Sequence, residues 1–162
     1  MMDTADKPGV IAPPPLLFAV AIVLGLLLDR LLPAYVLATL LTFGERVVAG
    51  IVLMCAGAGI TIPALRGFRS AGTNVEPWKP SITLVSDGIF AWLRNPMYVG
   101  GTLFLIGLAI LLASDWMLVM TIVSCVVLHF GVVMREERYL ETKFGEAYRA
   151  YKARVPRYGL PF

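Results

Sequence analysis

The chain has 162 residues, of which 58% are hydrophobic and 15% are charged, and its mean hydropathy is +0.77. These values lie outside the usual range for a soluble domain, so we expect an integral membrane protein with no separate soluble domain. The net charge of +3 lies entirely in residues 135–162, which hold seven basic and four acidic side chains. Such a basic tail favours contact with membrane lipids, and we expect no nucleic-acid partner for so apolar a chain.

The first half of the chain contains two apolar runs. Residues 1–15 are a polar, proline-rich N-terminal tail, and residues 16–32 predict the first transmembrane helix. Residues 47–65 predict the second, with Pro63 near its end, where a lost backbone hydrogen bond costs little. Small residues crowd this second run and permit close helix packing, namely Gly50, Ala56, Gly57, Ala58, Gly59 and Thr61.

The second half begins with the longest polar interval, residues 66–96, where prolines and glycines interrupt any long helix and predict a loop. A loop of this length in a compact protein more often has a function than serves only as a connection. Residues 97–113 and 116–134 are two further apolar runs separated only by Ser114 and Asp115, so they predict a tight antiparallel hairpin. The last helix is expected to continue past the membrane surface as far as Gly145.

The distribution of basic residues predicts the orientation of the spans. The 66–96 loop and the 135–162 tail are basic, whereas the turn between spans three and four carries only Asp115. Because basic segments stay in the cytoplasm, both termini are expected to be cytoplasmic, and the loop and the tail meet on one face. The chain is therefore predicted to be an all-α integral membrane protein, a single domain over residues 1–162 with about four transmembrane helices.

Three motifs occur in order in the second half of the chain. Residues 84–100 read LVSDGIFAWLRNPMYVG, residues 135–138 read REER, and residues 144–156 read FGEAYRAYKARVP. In this order and spacing they resemble the isoprenylcysteine carboxyl methyltransferase family and related membrane phospholipid methyltransferase-like proteins. The resemblance covers residues 82–162 and implies a methyltransferase that uses S-adenosyl-L-methionine. The resemblance also implies that the helical C-terminal segment helps to form the cofactor site. The implied cofactor-binding residues are Ile82, Thr83, Leu84, Val85, Phe90, Arg94, Asn95, Pro96, Met97, Tyr98, Glu136 and Glu137.

The chemistry of these residues suits that cofactor. Glu136 and Glu137 can accept hydrogen bonds from a ribose or an ammonium group, and Arg94 can hold a carboxylate by a two-pronged contact. Phe90, Trp92 and Tyr98 offer aromatic surface for the adenine or the sulfonium. Three alternatives stay open: the arginine could anchor a helix end, the glutamates could form a solvated face, and the tail tyrosines and arginines could form an interfacial belt.

His129 is the only histidine and lies near the end of the fourth apolar run. On a continuous α-helix it would share a face with Glu136, seven residues later, so it is a candidate for contact with the substrate. Two departures from the family pattern weaken the case for a carboxyl group as the substrate. Asn95 stands where eukaryotic members carry histidine, and Val132 and Val133 occupy the stretch where those members carry an arginine before the acidic pair.

We expect an enzyme that methylates a lipophilic small molecule or a lipid-modified substrate, with the carboxylate of a prenylcysteine-like group as one candidate. No metal site is expected, because Cys55 and Cys125 are single residues within apolar runs. A membrane reductase of the sterol-reductase type that uses NADPH, and a non-enzymatic membrane scaffold, are the alternatives. The acceptor atom and the use of a general base stay open.

Overall fold

The computed structural model describes residues 6–159, which form helices and connecting segments with no β-strand in that range. In chain order the helices are α1 (Pro14–Leu31), α2 (Val36–Leu40), α3 (Phe43–Ser70), α4 (Pro96–Leu112), α5 (Asp115–Leu128), α6 (Met134–Phe144) and α7 (Glu146–Arg154). A 3₁₀ turn, Gly88–Ala91, precedes α4, and a π-helical segment, His129–Val133, joins α5 to α6. The predicted all-α class is confirmed, and the outermost parts of the predicted termini, residues 1–5 and 160–162, lie outside the described residues.

Within residues 6–159, three helical stretches are long and apolar enough to cross a membrane, namely Pro14–Leu31, Phe43–Ser70 and Asp115–Phe144. The last of these runs without a break through α5, the π segment and α6, as the sequence predicted. The fourth apolar helix, Pro96–Leu112, has 17 residues, which is at the lower limit of about 17–25 residues for a span. Each predicted span therefore overlaps a helix, while the count of four crossings and the cytoplasmic termini stay predictions.

Helix α3 is longer than the apolar run that predicted it, because a capping box adds residues at its start. The Thr42 hydroxyl accepts a hydrogen bond from the Glu45 backbone N–H, and the Glu45 carboxylate accepts one from the Thr42 N–H at 2.8 Å. This reciprocal pair satisfies two N–H groups that a helix start leaves unpaired. At its other end the helix continues to Ser70, so the connection to α4 comprises residues 71–95 rather than 66–96.

Helices α3 and α4 pack so closely that their backbones touch. A Cβ atom built on Gly107 would lie 2.6 Å from the Gly50 carbonyl oxygen, and one built on Gly57 would lie 2.9 Å from the Phe104 nitrogen. The predicted packing role of the small residues is confirmed for Gly50 and Gly57. Gly59 faces open space among the described residues, since none of their atoms that could obstruct a Cβ built there lies within 4 Å of it.

One end of the bundle is tied together by two aspartates. Asp29 accepts hydrogen bonds from the Ser114 hydroxyl and from the Trp116 backbone N–H, which join α1 to the start of α5. The Asp115 carboxylate accepts the first two N–H groups of α2, each at 2.8 Å, where the positive end of the helix favours an anion. Since α4 begins at Pro96 and ends beside this cluster, the 71–95 connection lies at the other end of the bundle.

We expect Gly57→Ala to lower the thermal stability of the detergent-solubilised protein, because the added methyl group would meet the Gly100 carbonyl oxygen and separate α3 from α4. Overpacking of this kind costs about 1–3 kcal/mol. Gly59→Ala is the matched control on the same helix: its methyl group meets nothing within 4 Å, and alanine favours a helix by about 1 kcal/mol over glycine. Equal unfolding temperatures for the two variants would contradict the close contact.

Candidate active site

A cleft lies where the 71–95 connection, the start of α4, α6 and α7 meet. Every predicted cofactor residue except Ile82 lines this cleft, together with Phe68, Asn74, Tyr139, Leu140, Tyr148 and Tyr151. Ile82 is 63% exposed and does not line the cleft. The enclosed space is about 90 Å³, below the roughly 300–1000 Å³ of typical ligand pockets, so a nucleoside-sized ligand requires the cleft to widen.

Glu137 is the buried centre of the cleft wall, with a side chain only 7% exposed. Its Oε1 atom forms an ion pair with Arg94 Nη1 and accepts a hydrogen bond from Arg157 Nε, and its Oε2 atom accepts one from Arg157 Nη2, each at 2.8 Å. The alternative of a solvated face is therefore wrong for Glu137. Both oxygens are engaged by arginines, one within the 84–100 motif and one directly after the 144–156 motif, so this carboxylate already has its partners within the protein.

Arg94 is held on several sides. Besides Glu137, its Nη1 atom contacts the Tyr148 hydroxyl at 3.4 Å, and its backbone N–H donates to the Pro156 carbonyl at 3.0 Å. Burial and the Glu137 carboxylate raise the pKa of Tyr148 to about 12, so this hydroxyl stays neutral. The Arg94 Nε atom is buried and has no hydrogen-bond partner among residues 6–159. A buried donor that is left unpaired costs free energy, so the atom is suited to bind a ligand oxygen.

Tyr98 and Glu136 form a second bridge across the cleft. The Tyr98 hydroxyl, in the first turn of α4, donates to Glu136 Oε2 at 2.8 Å. Glu136 is half-buried, and its Oε1 atom has no hydrogen-bond partner within the described range. The two adjacent glutamates therefore differ: one is fully used by arginines, and the other keeps an oxygen for a ligand.

The tail closes the cleft with tyrosines whose role the sequence left open. Tyr148 and Tyr151 are 2% and 4% exposed, and the Tyr151 hydroxyl donates to the Phe90 carbonyl at 2.7 Å. The interfacial-belt interpretation is therefore wrong for these two residues. Their spacing of three places both on one face of α7, and this spacing in the FGEAYRAY stretch was the signal for a buried face.

His129 lies at the π segment, outside the cleft lining. Its Nδ1 atom is 2.8 Å from the Tyr158 hydroxyl. A π-helical turn accommodates one extra residue, which rotates the next turns of the helix by roughly 100° relative to a regular α-helix. The seven-residue spacing therefore does not place His129 and Glu136 on one face, and the structure does not bring this predicted substrate residue into the cleft.

Pro8 and Tyr139 also line the cleft, although no sequence motif pointed to them. Tyr139 lines the cleft, accepts a hydrogen bond from the Ser81 backbone N–H at 3.0 Å, and donates one to Asp6 at 2.8 Å. Its spacing of three from Glu136 on α6 was a usable signal. No motif marks the N-terminal residues. Their position beside the cleft depends on contacts with residues distant in the chain, which the local sequence does not reveal.

Comparison with known proteins gives two kinds of similarity. A family model described as phospholipid methyltransferase matches residues 45–147. The chain is similar to proteins named protein-S-isoprenylcysteine O-methyltransferase. It is 39% identical over 82 residues to that of Xenopus laevis, which covers 51% of this chain and 28% of the relative. It is 38% identical over 81 residues to that of Schizosaccharomyces pombe, which covers 48% of this chain and 33% of the relative, and 39% identical over 88 residues to that of Homo sapiens, which covers 49% of this chain and 28% of the relative. The chain spans a third or less of the length of these relatives.

We expect Glu137→Gln to destabilise the protein strongly, because the change leaves Arg94 and Arg157 without their shared carboxylate. Removing one partner of a buried ion pair costs about 3–5 kcal/mol. Glu146→Gln is the control, since Glu146 is 83% exposed in its pair with Arg149 and such pairs contribute less than about 1 kcal/mol. Thermal unfolding in detergent compares the two variants, and a similar loss for both would show that the Glu137 cluster does not hold the fold.

Proposed function

The chain belongs to the phospholipid methyltransferase family, and from this membership and the cleft we propose that it transfers the methyl group of S-adenosylmethionine to a lipophilic acceptor. The observation that carries the proposal is the convergence of three motifs, distant in the chain, on one cleft. That cleft offers a buried, unpaired guanidinium N–H, a carboxylate with a free oxygen, and apolar walls. These are the groups that a nucleoside with an amino-acid end requires.

The residues present fit the two ends of this cofactor. Arg94 Nε is a buried donor without a partner in the described range, and it supports a contact with the methionine carboxylate. Glu136 Oε1 is available to the ammonium or to a ribose hydroxyl. Phe90, Met97 and Leu84 offer apolar surface for the adenine. In this proposal Glu137 orients Arg94 and does not touch the cofactor.

The proposed reaction depends mainly on alignment of the acceptor with the methyl group of the cofactor. S-adenosylmethionine supplies an electrophilic methyl group on a sulfonium, which departs as a neutral thioether. The protein has to hold the acceptor in line with that methyl group and to exclude water. The O-methyltransferase name of the relatives supports a carboxylate acceptor, as in a prenylcysteine-like group. Such a carboxylate is already ionised at neutral pH, so no general base is needed.

The acceptor is proposed to approach from the membrane side, because the helices supply the only extended apolar surface of the described residues. His129 belongs to the apolar stretch Asp115–Phe144 and, with its partner Tyr158, lies outside the cleft lining. Burial raises the pKa of Tyr158 to about 12, so its hydroxyl stays neutral and can fix the orientation of the His129 ring.

Two measurements on the purified protein in detergent test the proposal. Thermal stabilisation by S-adenosylhomocysteine would support the methyltransferase, stabilisation by NADPH would support the reductase alternative, and neither would favour a scaffold. Transfer of a labelled methyl group into prenylcysteine analogues or extracted lipids then identifies the acceptor. Absence of S-adenosylhomocysteine binding by folded protein would overturn the proposed function.

We expect Glu136→Gln to weaken S-adenosylhomocysteine binding by about 1.5–3 kcal/mol with little loss of stability, because a charge-assisted hydrogen bond becomes a neutral one. Calorimetry on folded protein measures the change. Glu141→Gln is the control on the same helix, since Glu141 pairs with Lys152 at the surface and does not line the cleft. Unchanged affinity in Glu136→Gln would remove Glu136 from the cofactor site.

A further inference from the structure

A second, shallow pocket lies beside the cleft, between the N-terminal residues and the outer face of α6. Lys7, Pro8 and Gly9 line one side, and Arg135, Arg138 and Tyr139 line the other. The two sides are joined by a hydrogen bond from Arg135 Nη1 to the Gly9 carbonyl at 2.9 Å. The pocket is therefore built from two segments that are far apart in the sequence.

The pocket is positively charged, with no acidic residue among the described residues that line it. Lys7, Arg135 and Arg138 are exposed, and none of them forms an ion pair within residues 6–159. The neighbouring carboxylate of Asp6 is engaged by Lys143 and Tyr139. Two guanidinium groups and an ammonium group around one concavity are suited to bind a phosphate.

The position of the pocket along the last long helix matches the depth of lipid phosphates. From Asp115, at the polar end of the bundle, a helix crosses about 30 Å of hydrocarbon in about 20 residues. That distance ends near Arg135, and Arg138 lies one turn further on. Basic side chains at this depth meet the headgroups of anionic lipids.

The pocket and the cofactor cleft share two walls, Pro8 and Tyr139. The Tyr139 hydroxyl also joins the N-terminal segment, through Asp6, to the 71–95 connection, through the Ser81 N–H. A ligand that holds residues 7–9 against α6 therefore also holds the outer wall of the cleft.

We propose that this basic pocket binds the phosphate of an anionic phospholipid and that the bound lipid keeps the N-terminal segment closed over the cofactor cleft. The lipid contact is inferred from the basic pocket alone, whereas the effect on the cleft rests on the proposed function. S-adenosylhomocysteine contacts the wall formed by Pro8 and Tyr139 only when the N-terminal segment is in place, so an anionic lipid should raise its affinity, and by reciprocity S-adenosylhomocysteine should raise the affinity for the lipid.

The test uses the full chain in nanodiscs of phosphatidylcholine alone or of phosphatidylcholine mixed with phosphatidylglycerol. Thermal stability reports the lipid contact, and S-adenosylhomocysteine affinity reports the coupling. We expect phosphatidylglycerol to raise both for the native chain. Arg138→Gln and Lys7→Gln should each reduce the lipid-dependent gain about fivefold, since each removes one cation near the lipid surface.

Arg154→Gln is a closely matched control. Arg154 is exposed and its Nε atom donates to the Ala150 carbonyl four residues earlier at 3.3 Å, as Arg138 Nε does to the Met134 carbonyl at 3.2 Å. It does not line the pocket, so its substitution should leave the lipid-dependent gain intact. Loss of the gain in this control would indicate a general surface-charge effect and overturn the proposal.

Two further outcomes would also overturn it. The first is an equal gain in the native chain and in both pocket variants. The second is an equal gain from inorganic phosphate in phosphatidylcholine nanodiscs, which would assign the pocket to a free anion rather than to a lipid. If S-adenosylhomocysteine bound under no condition, the proposed function would fail, while the stability measurements would still decide whether the pocket binds an anionic lipid.

Discussion

One buried carboxylate joins the parts of the chain that form the cleft. Glu137 on α6 forms an ion pair with Arg94, which precedes α4, and accepts hydrogen bonds from Arg157, which comes after α7. An ionised carboxylate is costly to bury unless charged partners surround it, so the fold has to bring both arginines to this point. These opposite charges hold the segment before α4 and the segment after α7 against α6, and the cleft lies beside them at Glu136.

The helices could be predicted from the sequence because an apolar run long enough for a membrane permits little other than a helix. The boundaries could not, since they depend on polar contacts outside the apolar pattern. The start of α3 is set by the Thr42 and Glu45 capping box. The short helix α2 escaped prediction because Asp115, distant in the chain, accepts its first N–H groups.

Eleven of the twelve residues assigned from motif order and spacing line the cleft, but the motifs predicted neither the rest of the lining nor the division of roles within it. Of the two adjacent glutamates, Glu137 is the one whose carboxylate is paired inside the protein, because Arg157 reaches it from twenty residues further along the chain. A motif does not reveal that pairing. The relation of His129 to Glu136 depends on a π-helical turn, which regular helical spacing does not anticipate. The contribution of Pro8 depends on long-range packing of the N-terminal segment.

The two walls of the cleft differ in how firmly they are held, and this difference determines how the narrow cleft can widen. The inner wall rests on the Glu137 ion cluster, and separating a partner from such a cluster costs about 3–5 kcal/mol. The outer wall is joined through the Tyr139 hydroxyl to Ser81 and Asp6, and each such bond contributes about 0.5–1.5 kcal/mol. Separation of the 71–95 connection from α6 at the Ser81 contact therefore costs less than separation of Arg94 from Glu137, and the ion cluster keeps Arg94 in position when the cleft widens.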